Sequence, residues 1–469
     1  MAQGKYVKRR KRRSGINGMA ILLAAMLLIL GSMLLLKSCI QDEKPPVGNE
    51  SPSGETENNN AFWNPFKDPT ESTTLPTTEA TTVPTEPYIV ATASVGAGGD
   101  VLVHGPIITA AEKNGEYDFS NIYTYATEYF NRYDYMVANL EVTLGGDSEP
   151  YQGYPTFNCP DAMATALKNA GVDMLLTANN HSYDMGYNGM MRTLQVLDEM
   201  EIDRLGSRRT EDEPVYQVKD INGIKIGMVC YTYDTRSETE GAKSLNGIII
   251  KKDARALINT FDYSNPSGSY EEFEEIIADM KQDGAEAIVF FVHWGYEYHL
   301  SPISYQKNMA QKLCDLGVDV IIGGHPHVLE PFDTLTSDSG NTTYCLYSTG
   351  NLISNQRRET LNTVDNENYT EDGIIFGVTF QKWNDGTVEV CNLEATPTWV
   401  SKERRDGRNR YTIVPLDINI ADWDNSFDLL NTSYLEGSYK RTMSIVGEGL
   451  NAAREKLGLP AYPLTLDEE

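Results

Sequence analysis

The sequence predicts an α/β domain preceded by one transmembrane helix and a disordered stalk. Three observations predict it: an apolar run behind a basic N-terminus, a Pro/Thr/Glu-rich stretch, and short β-branched runs alternating with helical patterns after Tyr88. Length alone would allow the 469 residues two or three domains, but the first 90 are unlike the rest. What remains, roughly 380 residues, is ample for a large core.

Residues 1–15 form a basic tail, with Lys5, Lys8, Arg9, Arg10, Lys11, Arg12 and Arg13. Residues 16–37 contain an uncharged run from Gly18 to Leu36, broken only by Gly31 and Ser32, and are expected to anchor the chain in a membrane. Nineteen residues at helical rise nearly span the ~30 Å apolar thickness of a bilayer. Cations before the run, with only Lys37 close behind it, predict a cytoplasmic N-terminus and a single-pass cell-membrane protein whose main domain is extracytoplasmic. A cleaved signal peptide, or lipidation at Cys39 in Leu36-Lys37-Ser38-Cys39, would also leave the bulk of the chain outside.

Residues 38–87, dominated by Pro, Thr, Glu, Asn and Ser, cannot bury enough apolar surface to fold and read as a disordered linker giving reach. No acidic residue precedes Asp42, so all 67 lie on the exported side, against 31 cations once the eight up to Lys37 are set aside. The resulting charge, near −36, argues against nucleic acid as a partner and would also repel a polyanionic substrate. Beyond Cys39 the five cysteines are scattered, odd in number and without a C-x-x-C pair, so no disulfide framework or zinc knuckle follows.

In the folded part, strands are expected at Ile89–Val95, Tyr135–Leu140, Met174–Ala178, Lys225–Tyr231, Ala287–Val292, Val318–Ile322, Tyr344–Ser348, Ile374–Phe380 and Val388–Leu393. Helices are expected at Ile122–Phe130, Ala162–Ala170, Asn188–Met200, Glu271–Asp283, Ser304–Leu316 and Ser444–Leu457, with Gly284 and Gly317 as stops after two of them. The polar, histidine-free stretch from Asp234 to Tyr270 reads as an excursion flanking the site.

All six histidines, His104, His181, His293, His299, His325 and His327, fall at or just after a predicted strand end. In Val320-Ile-Ile-Gly-Gly-His-Pro-His a buried strand runs through two glycines into a His-x-His pair, and residues two apart in an extended chain can face one ion. His293 follows Ile288-Val-Phe-Phe-Val, and Asn179-Asn180-His181 follows Leu175-Leu-Thr-Ala. Asp100, behind Gly98-Gly99, and Glu141 complete a cluster suited to a divalent Mn, Fe or Zn rather than to copper. His299 is expected at its rim.

These segments resemble the CapA, or poly-γ-glutamate capsule-synthesis, family. The resemblance rests on Gly99-Asp100-Val-Leu-Val-His104, Asn139-Leu-Glu141, Ala178-Asn-Asn-His-Ser-Tyr-Asp184-Met-Gly, His293-Trp-Gly-Tyr-Glu297-Tyr with Gln306, Gly324-His-Pro-His-Val and Tyr347-Ser-Thr-Gly-Asn351. It implies a CapA-like domain over residues 88–400, a C-terminal extension over 401–469 packed on it, and similarity to calcineurin-like metallophosphatases, a four-layer αββα sandwich. The matching motifs imply metal ligands for one or two ions at Asp100, Glu141, Asn180, His293, His325 and His327, with Glu141 in the bridging acid's place. They imply His181, paired with Asp184, as general acid or transition-state stabiliser.

Two departures qualify the resemblance: metallophosphatases carry a His where this chain has Leu102, with His104 two residues further on, and their bridging acid is Asp rather than Glu141. Turnover therefore does not follow from family alone. The function implied is synthesis or export of capsule or poly-γ-glutamate, with a metal-dependent hydrolase-like site and an anionic surface polymer or its synthase complex as partner. A surface metallophosphatase or nucleotidase, and a non-catalytic scaffold of a polymer synthase, are the alternatives.

Overall fold

The computed structural model describes residues 86–236, 242–361 and 366–465. The basic tail, the expected anchor and nearly all of the linker lie outside the described residues. Among the described residues no helix is long and apolar enough to cross a membrane.

Fifteen strands make the two main sheets: β1 (Ile89–Val101), β2 (Tyr135–Leu140), β3 (Met174–Leu176), β4 (Asp203–Leu205), β5 (Gln217–Ile221), β6 (Ile224–Tyr233), β7 (Thr260–Phe261), β8 (Ala287–His293), β9 (Val320–Gly324), β10 (Leu329–Thr336), β11 (Thr342–Thr349), β12 (Asn351–Ile353), β13 (Asp372–Trp383), β14 (Val388–Arg405) and β15 (Arg408–Pro415). The first sheet has the order β15-β14-β13-β1-β2-β3-β4, with β12 also pairing β1. The second has the order β7-β6-β8-β9-β11-β10, with β5 pairing β6. The run β1 to β4 is parallel, and so is β6-β8-β9-β11, so in each sheet these strands end at the same edge.

Side-chain alternation shows how the sheets stack. In β8, Ala287, Val289 and Phe291 join the core between the sheets, while Ile288, Phe290 and Val292 join a second core with Phe273, Ile277 and Leu313 of the helices Pro266–Gln282 and Ser304–Asp315. In β2, Tyr135 and Val137 face inward, and Met136, Ala138 and Leu140 meet the helical side of the first sheet. Burial on both faces explains why these strands read as unbroken apolar runs. The architecture is a mixed α/β sandwich, two sheets face to face with helices outside.

All nine expected strands are present, and five of the six helices. The expected helix Ile122–Phe130 is instead a 3₁₀ turn, Ser120–Tyr123, and a single helical turn, Thr127–Phe130. Thr124 Oγ1 donates to Asn121 O and Thr127 Oγ1 to Tyr123 O, and such local bonds compete with a continuous helix. Strand β10 escaped the sequence reading because Pro331 interrupts it; at the sheet's edge its missing N–H costs no ladder bond. The hairpin of β14 and β15 carries the first sheet past residue 400, and the last helix, Leu435–Lys456, buries Leu435, Tyr439, Met443, Val446 and Leu450 against the inter-sheet core.

Close packing at the strand ends depends on glycine. A Cβ on Gly323 would overlap Tyr347 O and the Trp294 indole, whereas one on Gly105 would meet nothing within 4 Å. Gly323→Ala is therefore expected to lose about 1–3 kcal/mol and Gly105→Ala almost nothing. Equal denaturation midpoints for the two variants would contradict this packing.

Candidate metal centre

The parallel strands of both sheets deliver their ends to one place. Asp100, near the end of β1, is fully buried; its Oδ1 accepts from Asn139 Nδ2 at 2.8 Å. Its Oδ2 accepts from the His325 main-chain N–H at 3.2 Å and lies 3.2 Å from His327 Nδ1. The loop after β9 approaches this closely because Gly324 has no side chain: a Cβ there would sit 2.8 Å from Asp100 Oδ1. His325 and His327 then take positive φ values of 98° and 57°, strained for residues with side chains.

Glu141 lies just past β2, also fully buried, and neither carboxylate oxygen has a hydrogen-bond partner. Its Oε1 is 3.4 Å from His293 Nε2 and 3.7 Å from His327 Nε2. His325 Nδ1 is likewise unpartnered. Two sets of donor atoms lie within 4.8 Å of one another, Asp100–Glu141–His293 and Glu141–His325–His327, and they share Glu141. Asn180 joins them, its Oδ1 2.8 Å from His293 Nε2. All six residues named as ligands from the motifs are thus brought together.

The electrostatics fit a cation. Burial pushes the Glu141 carboxyl well above its usual range, and Asp100, Glu297 and Asp184 push it further. Burial holds His293 down to about 3, against the pull of Asp100, and holds His325 well below 6.5 with His293 and His327 adding to it. Both are thus neutral, the form that ligates. Burial also opposes the charges of Asp100 and His327, but their mutual hydrogen bond and attraction win, lowering the Asp100 pKa and raising that of His327. A buried carboxylate with two orphaned oxygens, beside the neutral imidazoles of His293 and His325, needs a proton or a divalent ion.

Beside this group His181 Nδ1 is 2.7 Å from Asp184 Oδ2, which also accepts from Phe157 N at 2.7 Å. Asp184 therefore orients the ring. The expected excursion does flank the site: Asn246, at the tip of a small hairpin, approaches His181 Nε2 at 3.4 Å and accepts from Asn180 Nδ2 at 3.2 Å. Asn246 was missed in sequence, although Asn246-Gly247, with φ of 47° and 78°, is the dipeptide that such a tight hairpin demands. Tyr233 was missed too; its ring lies 4.8 Å from that of His325, and no sequence signal marked it.

Neither Leu102 nor His104 supplies a donor to these sets. Leu102 is buried in the outer core of the first sheet, and His104 packs its ring on Phe157 with Nδ1 3.1 Å from Leu102 O. His299 is exposed and contacts Tyr296, outside both sets.

A family model described as bacterial capsule synthesis protein PGA_cap matches residues 94–356, which contain every residue of this centre. The chain is 26% identical over 349 residues to the PGA biosynthesis protein CapA of Bacillus subtilis (strain 168), covering 72% of this chain and 83% of that protein. It is 26% identical over 252 residues to the capsule biosynthesis protein CapA of Bacillus anthracis, covering 51% of this chain and 55% of that one.

Burial raises the pKa of Glu141, and, against the opposing effect of burial, the Asp100 hydrogen bond and charge raise that of His327, so each group holds a proton more tightly than in water and ligation works against it. Binding of Mn²⁺ or Zn²⁺ is therefore expected to release protons and to tighten as pH rises. Calorimetry in two buffers of different ionisation heat measures this, and a pH-independent affinity without proton release would contradict it.

Proposed function

The chain belongs to the bacterial capsule-synthesis family defined by the PGA_cap model, and from that premise we propose a membrane-anchored, extracytoplasmic protein of capsule or poly-γ-glutamate synthesis or export. We further propose that its metal-dependent hydrolase-like site has a metallophosphatase-like fold around it. The observation that carries the site is Glu141: a buried carboxylate with both oxygens unpaired, at the shared corner of two donor sets.

In this reading Asp100, Glu141, Asn180, His293, His325 and His327 hold one or two ions of Mn, Fe or Zn. Such an ion would supply Lewis-acid activation of a phosphoester or amide. The chain's own contribution is His181, which gives or takes a proton at Nε2 while Asp184 fixes Nδ1, the arrangement of a general acid held in one tautomer. The lack of a histidine donor at position 102 supports a first ion held by fewer protein ligands than in a phosphatase.

The basic tail over 1–15, the anchor over 16–37 and the linker over 38–87 are proposed on the sequence alone, and they would place the site outside the membrane. The partner is then the anionic surface polymer or its synthase complex.

Two substitutions separate ligation from chemistry. His327→Ala should lower the metal content of the purified protein, because an imidazole ligand is lost. His181→Ala should keep its metal and lose about 10²–10⁴-fold of any turnover on a panel of phosphoesters and γ-glutamyl amides. Equal metal loss in both variants would make His181 a ligand, and full polymer production in a His181→Ala strain would favour the non-catalytic scaffold.

A further inference from the structure

An exported chain near −36 that handles a polyanion must hold it somewhere against its own field. One segment has the opposite sign: between positions 402 and 410, Lys402, Arg404, Arg405, Arg408 and Arg410 face only Glu403 and Asp406 in sequence. These residues form the hairpin joining β14 to β15, beyond the residues matched by the family model.

Three of these five cations are ion-paired among the described residues, and Arg404 and Arg408 are not. Arg405 and Arg410 share a single carboxylate, Asp428, at 2.9 and 3.4 Å. Arg405 also meets Glu403 at 3.0 Å, and Lys402 meets Glu359 at 3.3 Å. Arg408 is exposed and donates only to a carbonyl, Glu112 O, at 2.5 Å. Arg404 is exposed with no ion-pair partner among the described residues, and it lies across the hairpin from Asn409.

Beside the hairpin is a groove of about 240 Å³, with Arg405, Arg408, Asn409 and Arg410 along it and Ile107 and Ala110 beneath; Asp406 is the carboxylate among its lining residues. Ile107 and Ala110 belong to the short helix Gly105–Ala111, which starts directly after His104. Seven residues at helical rise make that helix ~10 Å long, so the groove lies within about that distance of His104. At physiological ionic strength a charge is felt over ~8 Å, so the field here is set by the hairpin's five cations against Glu403, Asp406, Glu359 and Asp428 rather than by the distant acidic surface.

We infer that this hairpin and groove are a docking site for a linear polycarboxylate: guanidinium groups hold the carboxylates, and the apolar floor takes the methylene stems between them. The inference rests on the polymer reading above and specifies where the polymer lands.

The test uses the full chain in detergent, fluorescent poly-γ-glutamate and, as a polycarboxylate of different backbone, alginate. Wild type should bind poly-γ-glutamate with an affinity that falls as salt rises. Arg404→Glu/Arg408→Glu should weaken it at least about tenfold, while Lys440→Glu on the last helix should not. If the glutamate pair misfolds in a thermal melt, Arg404→Gln/Arg408→Gln replaces it. Unchanged binding in the arginine variant, or no binding of either polymer, overturns the docking site. Anionic vesicles captured through these arginines while both polymers are ignored overturn it as well. Alginate bound through the arginines while poly-γ-glutamate is refused keeps the docking site and removes the poly-γ-glutamate reading.

Discussion

The centre depends on one buried carboxylate. Asp100 ends a strand of the first sheet, yet its two oxygens are occupied by Asn139 of the same sheet and by the His325–His327 loop of the second. Apolar packing holds the sheets together at large, but it is non-directional and would tolerate a slide of one against the other. The Asp100 contacts are directional, buried and charge-assisted, so they fix the register of the two sheets where their chemistry is concentrated.

That tie imposes costs that only a function explains. Two histidines are held at positive φ, and the glycines before them cannot be replaced without overlap. A second carboxylate, Glu141, is buried with no hydrogen bond at all. In an apolar core such groups would be selected against; around a divalent ion they are the requirement. The same low-dielectric setting that keeps His293 and His325 neutral makes them competent ligands, so burial and coordination are one design.

The family relation and the geometry support different parts of the functional picture. Similarity to capsule biosynthesis proteins gives the biological setting, whereas the donor sets and the His181–Asp184 pair give the chemistry available. The cationic hairpin belongs to neither, since it lies outside the matched segment and supplies no atom to either donor set. If the docking inference holds, a strongly acidic chain with a local reversal of charge at this hairpin separates the place where a polyanion is held from the place where it could be altered.

The sequence by itself determined the α/β alternation, the central strands and the residues that meet at the strand ends. Strands buried on both faces are continuous apolar runs, and a histidine or acid directly after such a run must emerge at the sheet's end. It could not determine β10, where Pro331 is tolerated only at a sheet edge, or the broken helix near Ile122, where hydroxyl-to-carbonyl bonds compete with the backbone. Nor could it set Asn246 against His181, because that meeting is made by a loop crossing 65 residues of chain. Which sheet faces which, and whether His104 joins the donor sets or turns to Phe157, was decided by tertiary packing alone, since side-chain direction at a strand end follows from its neighbours in space and not from those in sequence.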